Sequence, residues 1–549
     1  MTRQVILSMA LFAAMSVAEA RVKFIAHGWD TMDMDPTTIL ANADALDKTA
    51  INGITIALPV RRQTDGTEAN FWRLPFDGPW KYETFADQVP ILQKIVKHPS
   101  LRDSFLLCSF SRMKGRIKWT DDAEWGRFSN NMRVLSRIAK AGGMKGLFLD
   151  NEDYTNILQY KHRPEECDFK TACKLARRRG REIFSGVFEA FPNAVIMPFW
   201  LLTQVKDYAR SSDPVASMEA DGCLWPAFVN GLFDVLPPTA RVVDGNEYAY
   251  TYEYNDGAFA RSAVDQLIGL LPLVAKENRA KYRAQMSVSF GQYIDMYTHD
   301  NPSNTWYFGP VEGSRLEHFR RNITEAAACA DEYVWLYGEQ FSWIKWNNPP
   351  AKSRKYRIDR TWEEALPGVN AMLKAVRNPG ASLHELVATA RAKGASSNRF
   401  PEALANEGHW QNPKCIQGTF SKDPTAGVGG TLTMTGIVNG CFELPVEVNP
   451  GETWVVDMYM TGFAGERQNP SIAFRDGAKK WHWDLGTTHA TLQAADNVGR
   501  RRASAVVRVP AGMRYLVLML NGGQKNGETA TFTDIFIAKC ESSLGATGG

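Results

Sequence analysis

The sequence lacks a strong excess of charge of either sign. Its 549 residues include 63 Lys and Arg against 60 Asp and Glu, which gives a net charge of +3. No basic run is longer than the three arginines at 177–179. Nucleic-acid-binding domains usually carry a marked basic excess, so we expect no nucleic-acid partner.

The signature motifs of several enzyme classes are also missing. No P-loop, G-x-G-x-x-G or G-x-S-x-G motif stands between a predicted strand and helix, and no H-E-x-x-H is present. No C-x-x-C pair occurs, which argues against a zinc ribbon or a thioredoxin motif. Asp30, Asp150 and Glu152 leave a metal site open, but no ligand spacing requires one. We therefore expect neither a cofactor nor a metal ion.

Long apolar stretches are confined to the N-terminus. Arg3 precedes an almost unbroken apolar run, Val5–Val17, and Ala18-Glu19-Ala20 matches the A-x-A cleavage pattern. Neither this run nor any later one reaches the roughly 18 apolar residues of a membrane-spanning helix. We predict that residues 1–20 are a cleaved signal peptide, that the protein is secreted or periplasmic, and that it has no transmembrane segment.

The eight cysteines follow this export signal, and an oxidising compartment permits disulfides. Cys167 and Cys173 lie close together in the sequence and predict a local bridge. Cys108 stands in an apolar run and predicts a buried free thiol. A further pair could tie the ends of the C-terminal region, chosen from Cys415, Cys441 and Cys540.

Short apolar runs alternate with longer helical patterns from residue 21 to about residue 378. This alternation is typical of βαβ units with a parallel sheet, whose strands are covered on both faces. Eight such runs predict an α/β fold, a (β/α)8 TIM barrel. The predicted strands are Val22–His27, Gly53–Leu58, Phe105–Phe110, Gly146–Asp150, Ala194–Trp200, Arg241–Asp244, Gln285–Phe290 and Tyr333–Tyr337. The predicted helices include Thr120–Ala141, Phe169–Phe191, Ala258–Lys276 and Glu312–Ala330.

The pattern changes after residue 378. Residues 379–408 are polar and helical, and we interpret them as a connector. From 409 to 541 short β-rich runs are separated by Gly, Pro and Asn without any helical period. This predicts an all-β, jelly-roll-like sandwich. Residues 542–549 are expected to be a disordered tail.

Two acidic residues follow the fourth predicted strand directly. In a barrel, the carboxyl ends of the strands form the active face. Asp150 and Glu152 are two positions apart, so their side chains point the same way. Two neighbouring carboxyl groups resist simultaneous ionisation, which raises one pKa and creates a general acid. The alternative is that these acids only cap the backbone that follows.

Other strand ends supply further candidates. Asp244 ends the sixth strand and Glu339 follows the eighth, so both join Asp150 and Glu152 as candidate catalytic carboxylates. The alternative for Asp244 is a simple Asp-Gly turn. The chain is rich in aromatic residues, with 16 Trp and 17 Tyr, and sugar rings stack on aromatic planes. Predicted substrate-binding residues are His27, Trp29, Asp30, Trp200, Glu247, Tyr252, Trp335 and Trp343.

The stretch Gly146–Glu152 resembles the strand-four signature of family 18 chitinases and related endo-N-acetylglucosaminidases, which ends in Asp-x-Glu. This resemblance implies that Glu152 is the general acid and that Asp150 steers the substrate's acetamido group. The family's earlier Asp falls on Phe148 here. The same stretch is similar to the strand-four motif of retaining α-glycosidases with a (β/α)8 barrel. That resemblance implies Asp150 as nucleophile and either Asp244 or Glu247 as acid.

The C-terminal region resembles β-sandwich carbohydrate-binding modules. The turns Pro450–Trp454 and Val509–Gly512 and the approach to the last strand at Phe532–Asp534 carry this resemblance. Together these features predict a glycoside hydrolase that acts on a polysaccharide or glycan. Two alternatives stay open. One is a non-catalytic carbohydrate-binding barrel. The other is a polysaccharide lyase, in which Arg112, Lys114 and Arg116 would bind an anionic substrate.

Overall fold

The computed structural model describes residues 22–62, 68–69, 79–110, 115–153, 157–350, 359–411, 419–423, 430–437, 440–462, 470–522 and 528–540. The predicted signal peptide and tail lie outside these residues. The chain divides into two compact units, Met1–Arg377 and Asn378–Gly549. None of the helices in the described residues is long and apolar enough to cross a membrane.

The first unit is a closed barrel of eight parallel strands, which confirms the predicted fold class. Each strand pairs with the next, and the eighth pairs with the first. Their inward and outward side chains are almost all buried, as expected for strands covered by helices. The strands are β1 (Lys23–Gly28), β2 (Gly53–Ile56), β3 (Phe105–Ser109), β4 (Gly146–Asp150), β5 (Val195–Pro198), β6 (Arg241–Asp244), β7 (Met286–Val288 and Phe290–Tyr293) and β8 (Tyr333–Gly338).

Strand β7 is interrupted at Ser289 and continues to Tyr293, three residues beyond the predicted end. The buried Gln266 side chain satisfies the backbone at the break: its Oε1 accepts from the Ser289 N–H, and its Nε2 donates to the Ser289 carbonyl, both at 3.3 Å. The first segment pairs with β6 and the second with β8. The two segments of β7 on either side of the break therefore join β6 to β8 and close the barrel.

Helices surround the barrel, and several begin at a side-chain cap. Asp121, Asp168 and Ser314 each accept a hydrogen bond from the backbone N–H three residues later, at 2.9–3.1 Å. The helices of this unit are Trp29–Met32, Pro36–Ala41, Ala43–Leu46, Val89–Ile95, Asp122–Ala141, Phe169–Ala190, Lys206–Arg210, Pro214–Asp221, Trp225–Val235, Ala258–Val264, Arg279–Gln285, Arg315–Cys329, Trp362–Ala365 and Val369–Arg377.

One predicted helix is wrong in its extent. The pattern Ala258–Lys276 predicts a single helix, but the α-helix ends at Val264 and a π-turn follows over Asp265–Gly269. Two 3₁₀ turns complete the segment. Pro272 lacks the N–H that a continuing helix would need, and the π-turn contains the Gln266 that supports the break in β7.

The second unit is a β-sandwich, as predicted. One sheet has five strands in the order β9 (Gly408–Gln411), β12 (Gly440–Glu447), β18 (Met513–Asn521), β14 (Ser471–Asp476) and β15 (Thr488–His489). The other has six in the order β10 (Thr419–Asp423), β11 (Thr431–Thr435), β19 (Thr529–Cys540), β13 (Thr453–Thr461), β17 (Arg501–Arg508) and β16 (Thr491–Leu492). Their facing side chains form one apolar core.

The predicted connector belongs to this unit. It forms the helices Pro379–Ala392 and Phe400–Ala405. Val387 and Ala390 of the first helix pack against Val455 and Phe536 of the six-stranded sheet. Phe400 of the second enters the core between the sheets.

Cys167 and Cys173 are both free thiols, so the predicted Cys167–Cys173 bridge is wrong. Burial raises the pKa of the Cys173 thiol to about 11, and disulfide exchange needs the thiolate. Cys441 and Cys540 lie in different sheets, the five-stranded and the six-stranded one, while Cys415 lies outside the described residues. Cys108 is buried and free, as predicted.

Candidate functional site

Two of the predicted catalytic residues lie at the end of β4. Asp150 is the last residue of the strand and is fully buried. Its Oδ1 accepts a hydrogen bond from the Glu152 N–H at 3.2 Å, while Glu152 itself is partly exposed. Between them, the Asn151 amide donates to the Trp200 carbonyl at 3.0 Å. The buried aspartate therefore fixes the backbone from which Glu152 reaches the barrel mouth.

A third carboxyl group, Glu247, comes from the turn after β6. The Gly245 N–H donates to the Pro198 carbonyl at 3.2 Å, and the Glu247 N–H donates to the Phe199 carbonyl at 3.1 Å. The residue between them, Asn246, has φ +45°, which an L residue adopts only when its surroundings require it. A Cβ on Gly245 would stand 2.4 Å from the Pro198 oxygen, so this turn requires glycine.

These three carboxyl groups form an electrostatic cluster, which we call the carboxyl cluster: Asp150, Glu152 and Glu247. Burial and the charges of Glu152 and Asp150 raise the pKa of Glu247 to about 8. Strands β4 and β6 are separated by β5 alone, a spacing of about 10 Å from two inter-strand intervals. At neutral pH the cluster therefore holds a protonated Glu247 beside ionisable partners.

Asp244, a predicted catalytic residue, instead accepts hydrogen bonds from the loop after β5 and from the turn after β6. Its carboxylate accepts hydrogen bonds from the N–H groups of Leu201, Leu202 and Thr203 and from the Thr203 hydroxyl, at 2.8–3.1 Å. It also accepts from the Asn246 N–H at 3.1 Å. These contacts tie the β5 loop to the turn that carries Glu247, so we revise its role from catalysis to positioning.

Two other buried aspartates hold the loop after β8 in the same way. Asp30 accepts from the Trp343 N–H at 3.0 Å and from the Ser342 hydroxyl at 3.2 Å. Asp295 accepts from the N–H groups of Glu339 and Gln340 at 2.8 and 3.1 Å. Burial raises the pKa of Asp30 to about 6 and that of Asp295 to about 7. Asp30 was predicted to bind substrate, and its contacts indicate a positioning role.

Glu339 is held by two tyrosine hydroxyls. Tyr293 donates to Oε2 at 3.1 Å and Tyr337 to Oε1 at 2.5 Å. Burial, together with the charge of Glu339 and the hydrogen bond to it, raises the pKa of both phenols. The result is a partly exposed carboxylate in a fixed orientation, suited to accept hydrogen bonds from a ligand.

Aromatic rings adjoin this carboxylate. The Tyr250 ring stacks on Tyr337 at 5.9 Å, and Trp306 meets Tyr250 and Tyr293 edge to face at 6.4 and 5.7 Å. Trp306 is 39% exposed, so part of its ring is available to a ligand. Sequence reasoning missed Tyr293 because β7 continues past its predicted end, and Trp306 lies in the loop that follows this extension.

His27 and Trp335 lie inside the barrel. His27 is buried, its Nδ1 is 2.8 Å from the Thr55 hydroxyl, and burial lowers its pKa to about 3. Its ring stacks on Phe148 at 5.0 Å. The Trp335 indole donates to the Gly245 carbonyl at 2.7 Å. Both residues are therefore neutral packing groups, and Trp335 supports the turn before Glu247.

The remaining predicted substrate-binding residues have mixed environments. Trp29, Trp200 and Tyr252 are half-buried around the ends of β1, β5 and β6, and their predicted roles stay predictions. Trp343 is buried, with its ring 6.5 Å from that of Trp362. Its backbone N–H binds Asp30, so its contacts are structural.

Within the described residues, one group of side chains has the spacing of a metal site: Asp44, Asp47 and His98. It precedes β2 and β3 and therefore lies at the opposite end of the barrel. Asp47 already accepts from the Ser100 N–H and hydroxyl and contacts His98 at 2.8 Å. These contacts account for the group as a loop anchor.

The fold and the site define a (β/α)8 barrel with a carboxyl cluster at its carboxyl-end face, joined to a β-sandwich. No protein-family model matches the chain, and no curated protein matches it. Among solved structures, an exo-β-1,4-mannosidase from Opitutaceae bacterium strain TAV5 is 11% identical, with a TM-score of 0.35; the match covers 66% of this chain and 60% of that one.

Two other similar structures cover smaller shares. The CBM22-1 xylan-binding domain of Paenibacillus barcinonensis Xyn10C is 13% identical, covers 25% of this chain and 87% of its own, and has a TM-score of 0.18. The enzymatically active domain of bacteriophage CBA120 tailspike protein 4 is 12% identical, covers 26% and 21%, and has a TM-score of 0.21. Similarities with TM-scores this low do not identify the chemistry of this chain, which therefore depends on its own side chains.

Proposed function

We propose that the barrel is a glycoside hydrolase in which Glu247 is the general acid and Glu152 is the opposing carboxylate. The observation that carries this proposal is the raised pKa of Glu247, caused by burial and by Glu152 and Asp150. Glycosidic cleavage needs one protonated and one ionised carboxyl group on either side of the bond. The estimated spacing of about 10 Å between β4 and β6 backbones allows side chains to approach to the 5–10 Å that such pairs show.

Each carboxyl group has a distinct part in this reaction. Glu247, protonated at neutral pH, donates its proton to the glycosidic oxygen as the C–O bond breaks. Glu152, which is partly exposed, stabilises the positive charge that develops on the sugar until a water molecule adds to the anomeric carbon and returns a proton to Glu247. Asp150 is buried and accepts the Glu152 N–H, so it positions Glu152 and, through its charge, raises the pKa of Glu247.

Sugar recognition would fall to the groups after β7 and β8. Trp306 offers a partly exposed indole ring, and Glu339 offers a carboxylate fixed by two phenols. A sugar ring can stack on an aromatic ring and donate hydroxyl hydrogen bonds to a carboxylate, so these two kinds of group together suit a sugar site. A polysaccharide lyase gains less support, because Arg116 is paired with Glu166. Arg112 and Lys114 lie outside the described residues.

We also propose export, from the signal-like residues 1–20. A secreted enzyme of this kind would meet polysaccharides or glycoconjugates outside the cell. N-terminal sequencing of the protein recovered from the culture fluid or periplasm tests this: a mature start near residue 21 supports export, and an intact N-terminus contradicts it.

Hydrolysis is tested by reducing-sugar release from a panel of polysaccharides and glycoconjugates. Wild type is compared with Glu247→Gln, Glu152→Gln and the control Glu325→Gln, which alters an exposed helix residue. We expect release by wild type and the control, and at least about 100-fold less by each site variant. Equal release by Glu247→Gln would refute the acid assignment, and no release by wild type across the panel would count against hydrolysis.

A further inference from the structure

Glu339 lies where segments from three strand ends meet. It follows β8, its partner Tyr293 ends β7, and Tyr250 comes from the turn after β6. Both oxygens of the carboxylate accept a phenol hydrogen bond, Oε2 from Tyr293 and Oε1 from Tyr337. Hydrogen bonds to the charged form favour ionisation. A carboxylate can accept about four hydrogen bonds, so each oxygen keeps capacity for a ligand.

The negative charge of Glu339 is not compensated by an ion pair with any described basic residue. Its backbone N–H donates to another acid, Asp295, at 2.8 Å. Asp295 is fully buried, and burial together with the charge of Glu339 raises the pKa of Asp295 to about 7. Buried charges in proteins are normally paired. A ligand that carries a positive charge would therefore supply what this place lacks.

The basic groups described in and next to the surrounding loops have other partners. These contacts are His299 with Gln340 at 3.4 Å, Arg315 with Asp300 at 3.3 Å, Lys345 with Glu364 at 2.6 Å, Arg360 over the Phe341 ring at 5.1 Å and Lys206 over the Tyr248 ring at 5.0 Å. Each of these groups is thus directed to a partner other than Glu339.

Four aromatic rings adjoin the carboxylate, and we call them the aromatic corner: Tyr250, Tyr293, Tyr337 and Trp306. Trp306 meets Tyr250 and Tyr293 at interplanar angles of 80° and 77°, so the rings form two walls nearly at right angles. A Cβ on Gly291 would stand 2.8 Å from the Tyr250 ring. The glycine in β7 therefore lets this wall pack closely against the barrel.

Aromatic faces next to a carboxylate suit an ammonium ion. The ring quadrupole attracts a cation within about 6 Å of the ring centroid, and the carboxylate accepts the N–H hydrogen bonds. Trp306 is 39% exposed, and Tyr337 and Glu339 are partly exposed, so a ligand can reach them. The hydroxyl groups of a neutral sugar could also donate to Glu339, but they would leave its charge uncompensated.

We propose that Glu339 and the aromatic corner bind the ammonium group of an amino sugar, so that the substrate is a glycan whose hexosamine units carry a free amino group. That the ammonium group belongs to a sugar rests on the proposed glycoside hydrolase function, whereas its binding rests on Glu339 and the rings alone. An N-acetylated amino group is neutral and supplies no cation. The proposed ligand thus differs from the acetamido group that the resemblance to family 18 chitinases implies.

Binding is measured by isothermal titration calorimetry on the full-length protein in the Glu247→Gln background, so that no probe is degraded. The probes are three matched series: glucosamine, galactosamine and the glucosamine hexamer; the N-acetylated forms of all three; and glucose, galactose and cellohexaose. We expect at least one free-amine probe to bind about tenfold or more tightly than both matched counterparts, the scale of a charge-assisted hydrogen bond with a cation–π contact. Higher ionic strength should weaken this preference.

The variants assign the preference to named groups. Glu339→Gln removes the charge but keeps the shape, so it should abolish the preference for the free amine. Trp306→Ala should reduce it, with partial recovery in Trp306→Phe, and this pair keeps the test open if Glu339→Gln does not fold. The control Glu325→Gln should bind like the parent.

Three results would overturn the proposal. The first is equal binding of the three probe series, and the second is no binding of any free-amine probe. The third is a preference that persists in folded Glu339→Gln, which would assign it to the charge of the carboxyl cluster.

A second measurement separates this inference from the proposed hydrolysis. Wild type is assayed for reducing-sugar release from chitosan, from its N-acetylated form and from neutral polysaccharides. A free-amine preference in binding, without release from any substrate, would support the ammonium site and count against hydrolysis. Release from neutral or N-acetylated substrates alone would overturn the proposed ammonium specificity and support hydrolysis.

Discussion

Glu247→Gln provides the sharpest test of the carboxyl cluster, because the structure ties the charge of Glu247 to the stability of the barrel. In the folded protein the pKa of Glu247 is about 8, raised from 4.5 by burial, Glu152 and Asp150. Below pH 4.5 the group is protonated in both the folded and the unfolded chain. Gln is neutral at every pH, so it imitates the protonated group.

The sign and the size of the effect follow from proton linkage. Between pH 4.5 and 8 the unfolded chain loses the proton while the folded chain keeps it, so stability falls as pH rises. Each pH unit in this window costs about 1.4 kcal/mol, because one pKa unit is worth that amount. Wild type should therefore lose about 3 kcal/mol by pH 7 and 4–5 kcal/mol by pH 9 relative to Glu247→Gln.

The assay is urea unfolding followed by tryptophan fluorescence at pH 5, 7 and 9. Glu325→Gln, on the exposed side of the helix Arg315–Cys329, is the matched control and should follow wild type throughout. Glu247→Gln should gain stability over wild type as pH rises. If the difference between the two changes by less than about 1 kcal/mol from pH 5 to pH 9, Glu247 titrates like an ordinary glutamate and the acid assignment fails.

Three further predictions concern the groups that position the site. Gly245→Ala should lower kcat at least about tenfold while the protein still folds, because the new Cβ would stand 2.4 Å from the Pro198 oxygen and displace Glu247; unchanged steady-state kinetics would contradict this. Asp244→Ala should reduce the free energy of unfolding in urea by about 3–5 kcal/mol, since it leaves several buried N–H groups without their acceptor; a loss below about 1 kcal/mol would show that the loop does not need the carboxylate. Tyr337→Phe should raise KM more than it lowers kcat, because it removes the 2.5 Å bond that orients Glu339; a fall in kcat alone would place Glu339 in the chemical step instead.

The sequence by itself determined the fold class and one part of the site. Eight apolar runs of strand length, each followed by a helical pattern, allow a closed parallel barrel because such strands must be covered on both faces. The acids at Asp150 and Glu152 were visible because they follow one of these runs directly. The short β-rich runs after residue 409 likewise predicted the sandwich, since alternating burial is a local property of each strand.

Only the tertiary structure decided what each strand-end acid does. Asp244 and Asp30 lie at or just after predicted strand ends, as Asp150 does, but their partners are N–H groups of loops that follow other strands. The raised pKa of Glu247 likewise comes from burial by the fold and from the charges of Glu152 and Asp150, almost a hundred residues away in the chain. A carboxyl group's role depends on its desolvation and on its neighbours in space, and the local sequence pattern carries neither.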